Sequence, residues 1–214
     1  MERKPSLTIK EDGTNELDIK KSKFICNIRR IKDEDDAKRL LSEITTIHAK
    51  ATHNCYAYMT GDQDQIQRES DNGEPSGTAG VPILEVLKKN ELHNVLAVVT
   101  RYFGGIKLGA GGLIRAYSNS ASKAIEKVGI VDLVPQKQLI ITVEYPLYDK
   151  LNYFLTENGY QIDEPSFTEN VTLSVPVDET KIESFTADIK NLLADKFTLK
   201  IGDDVISEVP YSKN

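Results

Sequence analysis

The chain lacks any apolar run approaching the roughly 20 residues that cross a bilayer, so no membrane-spanning helix is expected in its 214 residues. Its start, "MERKPSLTIKEDG", has no apolar core of a secretory signal, which argues for a cytoplasmic protein. Cysteine is scarce: Cys26 and Cys55 are too few for a disulfide framework and sit in apolar surroundings, so both read as buried free thiols. No 20–50-residue repeat and no low-complexity tract occur, which argues against a repeat architecture. What is present suits a globular protein of one large or two small domains, 39% hydrophobic and 28% charged.

The net charge of −6 is unevenly spread. Residues 1–130 hold 20 Lys+Arg against 18 Asp+Glu, whereas residues 131–214 hold 7 against 15. The acidic second part argues against non-specific binding of the whole chain to nucleic acid. A local basic site on the first part stays compatible with these numbers.

The first part alternates between strand and helix patterns. "ELDIKKSKFICNIRRI" reads as strand, and "KDEDDAKRLLSEITTIH" opens with acids that suit a helix N-terminus. Ala37, Leu40, Leu41, Ile44 and Ile47 form the apolar stripe of that helix. "HNCYAYMT" is a second strand, "GDQDQIQRESDNGEPSGTAG" a long polar loop, and "VPILEVLKKN" a short helix with Pro82 in its first turn. "NVLAVVTRYF" is a buried strand, and "LIRAYSNSASKAIEKVG" a helix with Leu113, Ala116, Tyr117, Ala121, Ala124 and Ile125 on one face and Gly129 at its end.

The second part reads as strand ("QLIITVEYP"), helix ("LYDKLNYFLTENG"), two strands within "QIDEPSFTENVTLSVPV", helix ("DETKIESFTADIKNLLAD", Asp178 as cap) and strand ("FTLKIG"). That order, β-α-β-β-α-β, is the ferredoxin-like split unit. The boundary is placed near Pro135 in "VDLVPQKQ", giving domains 1–134 and 135–214.

Between the buried strand and the following helix, "TRYFGGIKLGAGGLIRAYSNSA" holds Gly104, Gly105, Gly109, Gly111 and Gly112 within nine positions, with Lys107 among them and Arg101 and Arg115 on either side. A Walker A loop needs Lys and Ser/Thr after its second glycine; here Ala110 and Gly111 follow Gly109. The dinucleotide fingerprint fails too, because Ile114 stands where its third glycine belongs. A strand, a glycine turn and a helix N-terminus remain, which can hold an anion on free N–H groups. The other reading is that the glycines serve positive φ and close packing.

His53 and Cys55, two apart on a strand, could share ligands, but no second Cys/His pair completes a tetrahedron and no metal is expected. Cys55 with His48, His53 or His93 as base would make a nucleophile, yet nothing marks the thiol as activated. Asp71 and Glu74 could pair for acid–base work, or could simply serve the turns of "SDNGEPSG". No catalytic residue and no cofactor are assigned. Alternation along the strand also forbids Tyr102 from sharing a face with both Arg101 and Phe103, so part of this set belongs to the core.

"SDNGEPSGTAGVPIL", "VLAVVTRYFGGIKLGAGGLIRAYS", "KKSKFI" and "HNCYAY" together resemble the YigZ/Impact family over residues 18–128, and the acidic second part resembles the C-terminal domain of its bacterial branch. The resemblance implies an α+β protein. Its first domain would have the β-α fold shared by the second domain of ribosomal protein S5 and the fourth domain of elongation factor G. Its second would be ferredoxin-like βαββαβ, akin to the fifth domain of that factor. It also implies a role in translation, since the eukaryotic relatives regulate translation under nutrient stress through protein contacts. Those relatives carry an RWD domain that has no counterpart in this chain.

The resulting expectation is a protein without catalysis that binds ribosomal or structured RNA, or a translation factor, through the glycine-rich junction. Arg101, Lys107 and Arg115 would meet phosphate, aided by the loop amides, with Asp71, Glu74 and Ser76 forming the facing rim. The alternatives are a nucleotide or small-molecule phosphate site used by an enzyme, and a pure protein-interaction module.

Overall fold

The computed structural model describes residues 6–211. The chain divides into two compact units, one up to Asp132 together with the residues from Val209, the other Leu133–Glu208.

The first unit is built on an antiparallel sheet of β2 (Gly13–Ile19), β3 (Ser22–Arg30), β6 (Val95–Tyr102), β4 (His53–Thr60) and β5 (Ile66–Ser70), in that spatial order. A short strand β1 (Leu7–Ile9) pairs with the first residues of β7 (Ile130–Val143). Helices α2 (Gly80–Lys89) and α3 (Ala110–Val128) cover one face of the sheet, and α1 (Glu34–Ile47) the other. Every side chain of β6 from Val95 to Arg101 is buried because the strand has helices on both sides. Odd positions (Val95, Ala97, Val99) meet the core under α2 and α3, and even ones (Leu96, Val98) meet α1.

Several expectations change here. "ELDIKKSKFICNIRRI" is a hairpin, not one strand: it turns at Lys20 and Lys21, which hold φ of 46° and 66°. The polar loop before α2 contains β5, an edge strand on β4. Ile47 is 76% exposed, so the stripe of α1 ends at Ile44. By contrast, all six residues expected on the inner face of α3 are buried. Asp33 caps α1, its carboxylate accepting from the Asp36 N–H at 2.8 Å.

The second unit runs β7, α4 (Tyr145–Glu157), β8 (Ser166–Phe167), β9 (Val171–Val177), α5 (Ile182–Leu193) and β10 (Thr198–Pro210), in the ferredoxin-like order. In space the strands lie β10-β7-β9-β8. Leu139, Ile141, Leu173 and Val175 on the sheet pack with Leu151, Leu155, Phe185 and Ile189 of the helices. Two strands are longer than expected: β7 starts at Ile130, ahead of "QLIITVEYP", and runs through Pro135, and β10 extends well beyond "FTLKIG". No helix among the described residues is long and apolar enough to cross a membrane.

Candidate functional site

The end of β6, the loop at 71–79 and the N-terminus of α3 converge on one cavity of about 410 Å³. Its lining includes His53, Glu74, Arg101, Phe103, Lys107 and Ala110.

The inner wall is a buried ion pair. Arg101 lies on the α2/α3 side of β6 and is only 4% exposed. Its Nη1 donates to Glu74 Oε1 at 2.6 Å and its Nη2 to Ser22 Oγ at 3.3 Å. Tyr117 of α3 donates its hydroxyl to the same Glu74 oxygen at 2.8 Å. Burial, reinforced by Cys55 and Glu74, pushes the Tyr117 phenol far above its ordinary range, so it acts as a fixed donor. The guanidinium also lies 5.4 Å from the Phe24 ring and 5.3 Å from that of Phe103. Arg101 is therefore not an open phosphate-binding cation: its charge is spent on holding Glu74, and it forms the cavity's back wall.

The expected carboxylate rim divides in two. Asp71 points into its own loop, accepting from the N–H groups of Gly77, Ala79 and Gly80 at 2.8, 2.8 and 2.9 Å. It fixes the entry to α2 instead of facing a ligand. Burial would raise its carboxyl, but the Gly77, Gly80 and Ala79 amides outweigh it and hold the pKa below the ordinary value. Glu74 turns inward to Arg101, and Ser76 is exposed on the loop. His53 donates from Nδ1 to the Asn72 carbonyl at 2.8 Å, which leaves Nε2 facing Glu74 Oε2 at 3.8 Å. Cys55 and Cys26 are buried free thiols, and burial pushes each up to about 12. Among the described residues no three His, Cys, Asp or Glu are grouped to hold a metal ion.

The outer part is the glycine-rich junction, and its glycines do different work. A side chain at Gly104 would collide with the Lys21 carbonyl, so glycine there lets the β2–β3 turn pack against the loop. The Gly104 N–H donates to Ser22 Oγ at 3.2 Å, fixing that approach. Gly109 sits at φ 73° as the cap of α3 and has no side chain to accept a helix N–H. The first helical bond is Leu113 N–H to Gly109 carbonyl, so Ala110, Gly111 and Gly112 have no acceptor within the helix. The first turn of α3 contains no acid. Lys107 is exposed at the cavity mouth. Arg115, also exposed, reaches back along α3, its Nη1 lying 3.7 Å from where a Gly111 Cβ would stand.

Sequence reasoning missed four contributors. Exposed Lys20 and Lys21 arrive through the hairpin turn that Gly104 accommodates. Ser22 and Tyr117 complete the Arg101–Glu74 wall from elements distant in sequence. Tyr102 is excluded: alternation turns it to the α1 face, where its hydroxyl lies 3.0 Å from His48 Nδ1.

Comparison with known proteins matches this architecture along most of the chain. Residues 20–125 match the Impact N-terminal domain, and residues 141–196 a domain of unknown function, DUF1949. The chain is 43% identical over 196 residues to IMPACT family member YvyE of Bacillus subtilis, covering 92% of this chain and 90% of that protein. It is 32% identical over 172 residues to IMPACT family member YigZ of Escherichia coli, covering 79% and 84%. A solved structure of a hypothetical protein superposes with a TM-score of 0.59 at 28% identity, over 94% of this chain and 98% of the other. Glycine-rich junction, buried wall and ferredoxin-like unit all lie within these matched regions, and the chain belongs to the IMPACT family.

Proposed function

We propose that this chain is a cytoplasmic, translation-associated binding protein that holds RNA phosphate on the junction at residues 104–115. One observation carries the reading. Nineteen residues of α3 point a helix N-terminus with no side-chain cap and no first-turn acid at a cavity whose mouth carries exposed Lys107. Such a terminus attracts anions through its free N–H groups and its dipole. Lys107, Arg115, Lys20 and Lys21 add charge that phosphate contacts require. The family resemblance supplies the translation setting. The acidic second unit, with charge balance opposite to that of the first, favours a phosphate contact on the first unit.

The test is binding of the full chain to ribosomes and to structured RNA across a salt series. Lys107→Ala and Arg115→Ala should each weaken binding and lower the slope of log K against log salt by about 1. Unchanged affinity and slope in both variants would place the interface elsewhere. Partners that stay bound after nuclease treatment would favour a protein-interaction module instead.

A further inference from the structure

We propose that the cavity behind this junction is a pocket for a single nucleotide, seating one unstacked base against Arg101 and Glu74 with its phosphate on the N-terminus of α3. The proposal rests on the preceding reading and deepens it, from phosphate contact to recognition of a base.

Three chemistries meet in the cavity. Its apolar walls are Phe103, Leu108 and Leu113, and Phe103 is 45% exposed, so a flat ring can reach it. Its outer end holds Lys107, Gly109 and Ala110 at the uncapped helix terminus. Its back wall is polar but not fully satisfied. Arg101 keeps its buried Nε–H without a partner. Glu74 commits Oε1 to two donors while Oε2 meets only the His53 ring, at 3.8 Å. A guest that satisfies this wall must offer an acceptor and an N–H donor side by side on a flat apolar body. All four RNA bases present that combination: guanine at O6 and N1–H, uracil at O4 and N3–H, adenine and cytosine at a ring nitrogen beside the exocyclic amine.

Size agrees. About 410 Å³ lies in the roughly 300–1,000 Å³ range of small-ligand pockets. A base paired inside a duplex cannot enter, whereas a splayed single-stranded base can. The same unit could come from a free nucleotide or from an unpaired residue of RNA.

The experiment titrates the full chain with GMP, CMP and UMP, with single-stranded decamers of G-, A-, C- or U-rich sequence, and with a blunt duplex. The variants are Phe103→Ala and Ala110→Asp. Asp in a first turn favours the helix, so Ala110→Asp should keep or raise thermal stability while its carboxylate repels phosphate. Phe103→Ala should weaken single-strand binding by about 5- to 150-fold, the loss expected for one base–aromatic stack, and leave duplex binding unchanged. Tight binding of GMP alone would assign the pocket to free nucleotides, sustaining this proposal and overturning the RNA reading. RNA binding that depends on Lys107 and Arg115 and ignores Phe103→Ala would overturn the pocket and leave the RNA reading standing. Absence of binding by every ligand would overturn both.

Discussion

Removing the Glu74 carboxylate should cost this fold more than any other single polar truncation at the site. The Glu74 and Arg101 side chains are 4% and 5% exposed, so water solvates either partner poorly. In Glu74→Ala the guanidinium would keep only Ser22 Oγ at 3.3 Å and the two phenyl rings. Tyr117 would lose its acceptor as well. Breaking a buried pair from one side typically costs about 3–5 kcal/mol, because a charge is left unpaired in a poorly solvated place. Glu74→Gln retains an oxygen acceptor and should fall between wild type and Ala. Replacing both partners by Met removes the charge itself, so the double variant should recover most of the loss. Urea unfolding followed by circular dichroism, with hydrogen exchange of the β6 amides to report on the first unit alone, measures each variant. A Glu74→Ala loss below about 1 kcal/mol, the scale of an exposed ion pair, would refute the buried wall. So would a double variant no more stable than the single one.

Other outcomes follow from the same geometry. Gly104→Ala should destabilise by about 1–3 kcal/mol or more through collision with the Lys21 backbone, read by thermal melting. Gly111→Ala, whose new methyl would meet only the Arg115 guanidinium at ordinary contact distance, should instead stabilise by about 0.4–1 kcal/mol in the same assay. Cys26 and Cys55, both pushed up by burial to about 12, should escape a disulfide reagent at pH 8 until the chain unfolds; rapid labelling of one thiol in the native protein would contradict this. Asp71 has a lowered folded pKa, so its contribution is present above the unfolded value of about 3.9 and is lost as pH falls through the lower folded one. Asp71→Asn should therefore be less stable than wild type at pH 7, and the gap should close below about pH 4 in pH-dependent melts.

The parts legible in the sequence were those with one dominant periodicity. The inner face of α3 could be read directly, because six apolar positions recur at helical spacing and all are buried. The βαββαβ order could be read for the same reason. β5 was hidden because "IQRES" is an edge strand with no fully buried residue, so nothing apolar alternates along it. The β2–β3 hairpin was hidden because its turn uses two lysines at positive φ where Gly or Asn would have signalled it. At the site, sequence set Asp71 and Glu74 together on a rim facing Arg101, and only the structure chooses Glu74 as the partner of Arg101. That choice depends on Asp71 being drawn to the amides of Gly77, Ala79 and Gly80, which only the folded loop brings together. Likewise, Lys21 and Gly104 lie far apart in the chain, and a steric requirement for glycine shows only once the hairpin turn rests on the loop.

The most direct test of the account is an amide-resolved NMR titration of the labelled full chain with a short single-stranded RNA at low salt. The account predicts that the N–H signals of Ala110, Gly111 and Gly112 move first and furthest, with Lys107 and Phe103 following, while the acidic second unit stays silent. Shifts concentrated on α1, on β5 or on the second unit, with those three amides unmoved at saturation, would contradict it.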